Sequence, residues 1–366
     1  MEKLKKNRSG IGLLGLVLCF SACLQEISFP LPEQDQSQTI AIRGALVASD
    51  TARVSIWITR LTNFVRFEIP EKIAGATVWL ADELGNRLDI PMQEPGLYAL
   101  KDINRTNNFR VEPGKSYRLY VFTPDGKRYR SSVETLFPVP VPTAVKQELG
   151  RRKVADESGD LVDQEFLRFL FSTPLVHPDY QGKAFLKWQL QGCYRFRGAN
   201  FTRPFPPNVR TCYFFDDLRR DEVVVYNGAE NSADTLRDYF LLEEPFNYRF
   251  SGGFYLSIFQ QSLSESAYCY WKNVGAVVDQ SGDFFDAPPG RITGNFQNIS
   301  DEAEVVYGYF YVTQETVFRY YIPPVLDRVA PYCPTTISDP NFIPAICSDC
   351  LIQPGSTLEK PDFWMD

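Results

Sequence analysis

Residues 116–132, SYRLYVFTPDGKRYRSS, carry the pattern that decides the fold. Apolar and polar side chains alternate on both sides of a central Pro124-Asp125-Gly126. A period of two is typical of a half-buried strand, and Asp-Gly between two such runs is a strong hairpin signal. The stretch therefore predicts two antiparallel strands joined by a tight turn.

The same alternation recurs upstream of this hairpin. ARVSIWITR, residues 52–60, and ATVWLAD, residues 76–82, each place their apolar side chains on one face and their polar side chains on the other. Short strands at this spacing, with turn residues between them, are typical of an antiparallel sandwich. We therefore expect residues 39–137 to form an N-terminal immunoglobulin-like β-sandwich.

A second, larger antiparallel β-domain is predicted for residues 161–330. AFLKWQLQG, residues 184–192, alternates as a strand does, and VVYGYFYVTQETVFRYYI, residues 305–322, predicts a paired hairpin. One short helix stands between them. Ser264 is its expected N-cap, since apolar residues recur at helical spacing directly after it.

The segments that flank the second domain are less regular. Residues 138–160 are expected to be a linker, proline-rich at first and then, from Lys146, a charged exposed loop. Residues 331–366 are rich in Pro and Cys and predict a docked tail without regular structure. The fold class is thus all-β in the main, with two β-domains, one helix and a Cys-rich tail.

The N-terminus has the form of a lipoprotein leader. Residues 1–22 combine a basic start with an apolar run that is too short to span a bilayer. Phe20-Ser21-Ala22-Cys23 matches a bacterial lipobox, although ordinary cleavage next to a coincidental Cys is the alternative. We expect Cys23 to be the acylated first residue, which gives stable anchoring, followed by a flexible tether at residues 23–38.

The charge balance makes nucleic acid an unlikely class of partner. The formal net charge is −7, and removal of the leader, with four basic residues and Glu2, makes it more negative. Phosphate binding requires a basic surface, and the sequence shows none.

Six cysteines remain after Cys19 and Cys23. An even number in an exported chain indicates disulfides, and Cys193 with Cys212 is the expected pair because the two flank one Pro-rich loop. Cys347 and Cys350, in CSDC, are alternatively a redox dithiol or zinc ligands, and Cys269 bonds the tail or stays free. The disulfide candidates are Cys193, Cys212, Cys269, Cys333, Cys347 and Cys350.

No catalytic constellation is legible in the sequence. The single histidine, His177, lies between prolines and is interpreted as a loop residue. Asp216 and Asp217 are followed by arginines and predict a salt-bridged loop, while residues 279–283, DQSGD, lack the glycine that a calcium loop requires after them. We therefore expect no catalytic residue, metal ligand or cofactor, although two carboxylates brought together by the fold are not excluded.

Several segments resemble a known family. They are AGATVWLADELGN, PGKSYRLYVFTPDGKRYRSS, DAPPGRITGNFQNISDEAEVVYGYF and, in the tail, CSDC followed by KPDFW. Together they resemble a family of Bacteroidota outer-membrane lipoproteins of unknown function, whose N-terminal domain is similar to transthyretin-like or carboxypeptidase-regulatory sandwiches. The resemblance implies an association with TonB-dependent transporters and no catalytic residues. It also implies a lipid-anchored position at the outer membrane, on the cell surface. Only Glu26 is acidic close to Cys23, so the periplasmic leaflet stays open as an alternative.

These observations lead to three hypotheses about function. The first is a non-enzymatic accessory lipoprotein that binds a TonB-dependent transporter during nutrient uptake and contacts a glycan or peptide ligand. The second is a carbohydrate-active hydrolase that works through paired carboxylates. The third is a component of envelope assembly or adhesion.

Overall fold

Strands dominate the structure. The computed structural model describes residues 39–49, 51–61, 69–106, 109–200, 208–278, 292, 294–333 and 343–365, so the predicted leader, Cys23 and the tether lie outside the described residues. The strands are β1 (Ile40–Ala48), β2 (Arg53–Arg60), β3 (Thr77–Asp82), β4 (Arg87–Asp89), β5 (Met92–Glu94), β6 (Leu97–Leu100), β7 (Ser116–Phe122), β8 (Arg128–Ser131), β9 (Glu134–Thr135), β10 (Ala144–Ala155), β11 (Leu161–Pro174), β12 (Val176–His177), β13 (Tyr180–Lys183), β14 (Phe185–Asn200), β15 (Asn208–Leu218), β16 (Val224–Asn227), β17 (Thr235–Pro245), β18 (Phe254–Leu263), β19 (Phe296–Asn298), β20 (Phe310–Ile322) and β21 (Ser356–Thr357). The helices are α1 (Ile103–Thr106), α2 (Glu265–Val278) and α3 (Ala345–Ser348), with 3-10 turns at Gly228–Glu230, Tyr248–Phe250 and Cys350–Ile352. The expected all-β class is confirmed.

The strands form three main sheets. In the largest, neighbouring strands follow the order β21-β15-β14-β18-β20-β1-β2-β6-β5, and β16 also pairs with β14. A second sheet follows the order β19-β8-β7-β3-β4, with β9 beside β7, and a third consists of β10, β11 and β17. The largest sheet is continuous because β1 pairs in parallel with β20, while its other neighbour, β2, is antiparallel.

The hairpin predicted at residues 116–132 is confirmed. β7 and β8 pair antiparallel, from Tyr120 opposite Arg130 to Phe122 opposite Arg128. Gly126 has a φ of 86°, a conformation that glycine adopts without a steric cost. The alternate residues Leu119 and Val121 are fully buried, as the period of two requires.

Two large hydrophobic clusters form the core. The first lies between β1, β2 and β6 of the largest sheet and the strands β3, β7 and β8 of the second sheet. The other is built on β11, β14, β15, β17 and β18. Phe310 and Val312 of β20 belong to the first cluster, and β19 adds Phe296 to it. Residues from the later part of the chain thus complete the core of residues 39–137.

The segment expected to be an exposed loop is instead a long hairpin. β10 and β11 pair from Ala144 opposite Ser172 to Ala155 opposite Leu161, and the turn between them closes where Asp156 donates its N–H to the Asp160 carbonyl. Charged side chains obscured the strand pattern, because most of β10 is exposed on both faces. Cross-strand ion pairs, such as Arg151 of β10 with Glu165 of β11 at 2.8 Å, explain why the hairpin carries so many charged side chains.

The stretch 305–322 is one long strand and not the predicted hairpin. β20 runs from Phe310 to Ile322 without a turn, because β18 occupies one of its edges and β1 the other. The tail contains short regular elements, contrary to expectation: α3, and β21, which pairs with β15. Trp364 is 3 % exposed and its ring lies 5.0 Å from that of Tyr213, so the tail is packed onto the largest sheet.

The segment that precedes β20 provides a test of the fold. Gly308 has a φ of 91°, and a Cβ built on it would lie 2.1 Å from the carbonyl oxygen of Ile42 in β1. We expect Gly308→Ala to lower the free energy of unfolding by roughly 3 kcal/mol, because the clash separates β1 from β20. Gly126→Ala is the matched control, since its φ is 86° but no atom lies within 4 Å of its Cβ position. The control should cost only about 1 kcal/mol in urea denaturation, and equal losses would contradict the argument.

Candidate functional site

The candidate site is a cleft of about 520 Å³ on one face of the largest sheet. Its floor is formed by side chains of β2, β14, β18 and β20, and its walls by helix α2 and the turn that follows β15. Its lining includes Arg53, Lys187, Asp217, Arg219, Glu222, Trp271 and Glu315. Ligand sites in proteins usually have volumes of about 300–1,000 Å³, so the cleft is of a suitable size for a small solute.

A row of polar side chains crosses the floor of the cleft. Lys187 on β14 is opposite Gln261 on β18, and Gln261 is opposite Glu315 on β20. The Gln261 amide donates to one oxygen of Glu315 at 2.8 Å, and the Arg53 guanidinium donates to the other at 2.8 Å. Glu315 is only 8 % exposed, and these two bonds satisfy its charge where water does not reach it. The row is therefore an ordered sequence of ammonium, amide, carboxylate and guanidinium.

Lys187 is buried without an acidic partner. Its side chain is 6 % exposed, and among the described residues no carboxylate lies within ion-pair distance of it. The ammonium lies 4.1 Å from the ring centroid of Trp271 and 5.3 Å from that of Tyr311, and it donates to the Tyr311 hydroxyl at 3.4 Å. A desolvated cation over an aromatic face gains about 2 kcal/mol. The two aromatic rings thus provide part of the stabilisation of the ammonium that an acidic partner would otherwise provide.

Helix α2 holds Trp271 over this row. The helix begins as predicted, since Ser264 accepts a hydrogen bond from the Ala267 N–H at 3.1 Å. Beneath the cap lies the buried carboxylate of Glu134 in β9, which accepts from the Ser264 and Tyr309 hydroxyls, both at 2.6 Å. A carboxylate at a helix N-terminus also interacts favourably with the helix dipole. These contacts tie the start of α2 to the sheets on which it lies.

The cysteine pairing differs from the expected one. Cys212 bonds Cys350 and Cys333 bonds Cys347, while Cys193 is free and buried and Cys269 is free and exposed. The prediction that paired Cys193 with Cys212 is wrong because of register: β14 and β15 are adjacent, but Cys212 is opposite Phe196. Cys193 is three positions away, so its side chain lies on the other face of the sheet.

The same bridges correct the reading of CSDC. Cys347 and Cys350 bond two different partners and not each other, so they are neither a dithiol nor a pair of zinc ligands. In the described ranges, no three Cys, His, Asp or Glu side chains meet as metal ligands would.

The other residues considered in the sequence are scattered. His177 lies in β12, where its Nδ1 accepts from the Asp179 N–H at 3.2 Å, and it does not line the cleft. Asp217 lines the cleft rim, whereas Asp216 contacts Arg249 at 3.7 Å. Burial raises the pKa of the Asp216 carboxyl. The residues 279–283 lie outside the described part of the chain.

Sequence reasoning missed the polar row altogether. Lys187, Gln261 and Glu315 each occur within a strand, where a polar residue is normally interpreted as facing solvent. Only the strand register brings the three together, and Arg53 is 262 residues from the glutamate that it binds. A lysine with apolar neighbours on both sides, as in Phe-Leu-Lys-Trp, was the single local signal.

Comparison with known proteins gives a family but not an activity. A family profile described as a domain of unknown function, DUF4249, matches residues 25–319. The chain belongs to this family. The matched range includes the polar row and Trp271, whereas Cys333, Cys347 and Cys350 follow it. No curated protein and no solved structure matches the chain. Among the described residues, no helix has the length and apolar character needed to cross a bilayer.

The two cysteines that are free among the described residues should differ sharply in reactivity. Burial raises the pKa of the Cys193 thiol to about 12, whereas Cys269 is exposed on α2. Because the thiolate is the reactive form, we expect Cys269→Ser to remove one equivalent of fast-reacting thiol from the native protein. Cys193→Ser should remove none until the protein is denatured. Fast loss of reactivity in Cys193→Ser would contradict the buried position.

The carboxyl of Glu134 should make stability depend on pH. Burial raises its pKa, although hydrogen bonds from Ser264 and Tyr309 lower it in part. The contribution of Glu134 to stability is therefore fully present below its unfolded pKa and is lost as the pH rises through the folded pKa. We expect the free energy of unfolding of the unsubstituted protein, relative to Glu134→Gln, to increase from neutral pH to about pH 5. Urea denaturation at both pH values measures this difference. Glu94→Gln, at an exposed strand position, is the control and should show no such trend.

Proposed function

We propose that the chain is an outer-membrane lipoprotein, anchored through Cys23, that assists a TonB-dependent transporter in nutrient uptake without catalysing a reaction. The lipobox and the resemblance stated above support the anchor and the partner. Membership of an uncharacterised family is compatible with this role but does not specify it. The position that we propose for it is the cell surface, with the periplasmic leaflet as the alternative.

The observation that carries the proposal is the cleft. Its floor consists of side chains from hydrogen-bonded strands, so the polar row of Lys187, Gln261 and Glu315 is held rigidly. Both oxygens of Glu315 accept hydrogen bonds, one from Arg53 and one from Gln261. A rigid row of polar groups next to an aromatic ring, with its carboxylate already hydrogen-bonded, favours binding of a solute over its chemical conversion.

The long hairpin offers a surface for a protein partner. β10 is an edge strand of its sheet, and edge strands pair readily with a strand of another protein. Near its turn, Leu161 is 66 % exposed and Val162 is 40 % exposed. Exposed apolar side chains beside an open edge are typical of a contact site, which we assign to the transporter.

The hydrolase alternative requires carboxylates of the cleft as catalytic groups. Asp217, Glu222 and Glu315 all line it. Glu222 is bound by Arg219, as Glu315 is by Arg53, whereas Asp217 has no arginine partner within the described part of the chain. Turnover of a polysaccharide that is lost in Asp217→Asn would support this alternative. A role in envelope assembly or adhesion would instead give a deletion defect that does not depend on the carbon source.

Affinity purification tests the proposed role directly. We expect the full-length lipidated protein, extracted from its native membranes in mild detergent, to bring down a TonB-dependent barrel in stoichiometric amount. Leu161→Asp should reduce that recovery at least tenfold, because it places a charge in the assigned contact. Leu84→Asp is the matched control, since Leu84 is 79 % exposed but lies outside the hairpin. Recovery of the lipoprotein without any transporter would overturn the proposal.

A further inference from the structure

We infer that the cleft binds a small ligand through a carboxylate group, which accepts hydrogen bonds from the Lys187 ammonium and the Trp271 indole. This inference goes beyond the proposed function, because the cleft would bind such a ligand with or without a transporter. It rests on the unpaired donors of Lys187 and Trp271 and on the balance of charge in the cleft lining.

Lys187 carries a buried charge in the cleft that no other described residue neutralises. Glu315 holds Arg53, and Glu222 holds Arg219. The Lys187 ammonium can donate three hydrogen bonds, yet among the described residues its single acceptor is the Tyr311 hydroxyl at 3.4 Å. A buried ammonium with spare donors is suited to an anionic ligand oxygen, since a charge-assisted bond is stronger than a neutral one.

The Trp271 indole supplies a second donor beside the ammonium. Its Nε1 is buried and has no acceptor among the described residues, which is uncommon because buried N–H groups are nearly always paired. Trp188 shows the usual arrangement, for its Nε1 donates to the Gln260 side chain at 2.8 Å. The Trp271 side chain is half-buried and lines the cleft. The proposed binding requires this ring to rotate so that its N–H faces the carboxylate.

The charges around these donors favour a carboxylate over a phosphate or sulfate. Three carboxylates, Asp217, Glu222 and Glu315, line the cleft together with four basic residues, Arg53, Lys187, Arg219 and Arg220, so the formal charge of the lining is +1. A ligand with one negative charge balances this lining, whereas a ligand with two would leave an excess negative charge beside the three carboxylates. A carboxylate also has two oxygens, so one group can accept from both Lys187 and Trp271. Its source is a sugar acid or a peptide C-terminus, since both fit the volume of the cleft.

The indole N–H resonances provide the test. The full-length protein in detergent micelles, labelled with nitrogen-15 at its 5 tryptophans, is titrated with acetate and with the neutral isostere acetamide. Trp271→Phe assigns the resonance of interest, and the resonance of Trp364, which is buried outside the cleft lining, reports an intact fold. We expect acetate, but not acetamide, to shift the Trp271 resonance in a saturable manner. Lys187→Met should raise the acetate Kd at least tenfold. Lys272→Met is the control and should leave the Kd unchanged, because Lys272 lies on the same helix as Trp271 but outside the cleft lining.

Galacturonate and N-acetylglycine then distinguish the two sources. Tighter binding of galacturonate supports the proposal with a sugar acid as ligand, and tighter binding of N-acetylglycine supports it with a peptide terminus. The proposal is overturned if none of the carboxylates shifts the Trp271 resonance, if acetamide shifts it equally, or if Lys187→Met retains the acetate affinity while the Trp364 resonance is unchanged. Failure of the transporter pull-down has no bearing on these outcomes, so the two proposals are judged separately.

Discussion

The parallel pairing of β1 with β20 is the contact on which the rest of the structure depends. It joins strands from the beginning of the chain to strands from its later part, and it makes the largest sheet continuous. The approach is close: the Tyr307 and Tyr309 carbonyls accept from the Ile42 and Gly44 N–H groups, both at 2.9 Å. Arg53 reaches Glu315 only because this pairing sets β2 near β20. The continuity of the sheet and the geometry of the cleft therefore both depend on this pairing.

The polar row contributes little to stability relative to what its burial costs. Removing a carboxylate and a lysine from water is expensive, and a buried ion pair is often no better for stability than apolar residues of the same size. Glu315 is compensated by two hydrogen bonds, whereas Lys187 relies on aromatic faces and one long contact. Folding alone does not account for such an arrangement, whereas an anionic ligand bound to Lys187 would.

Local features of the sequence predicted local features of the fold. The hairpin at residues 116–132 and the helix capped by Ser264 depend on near neighbours, and both are present. The cysteine pairs and the polar row depend on strand register across long separations, which no local pattern encodes. β10 was missed for a different reason, since a strand with both faces exposed lacks the apolar alternation that identifies strands.

The same parallel pairing also determines the order in which the protein can be completed during synthesis. β1 and β2 are made early and can form their own hairpin at once. The other edge of β1 has no partner until residues 310–314 have been made, so nearly the whole chain must exist before that edge is covered. Uncovered strand edges attract other strands, and contacts between distant residues form slowly. The nascent chain is thus vulnerable to aggregation for most of its synthesis, and a factor that shields the β1 edge would raise the yield of folded protein.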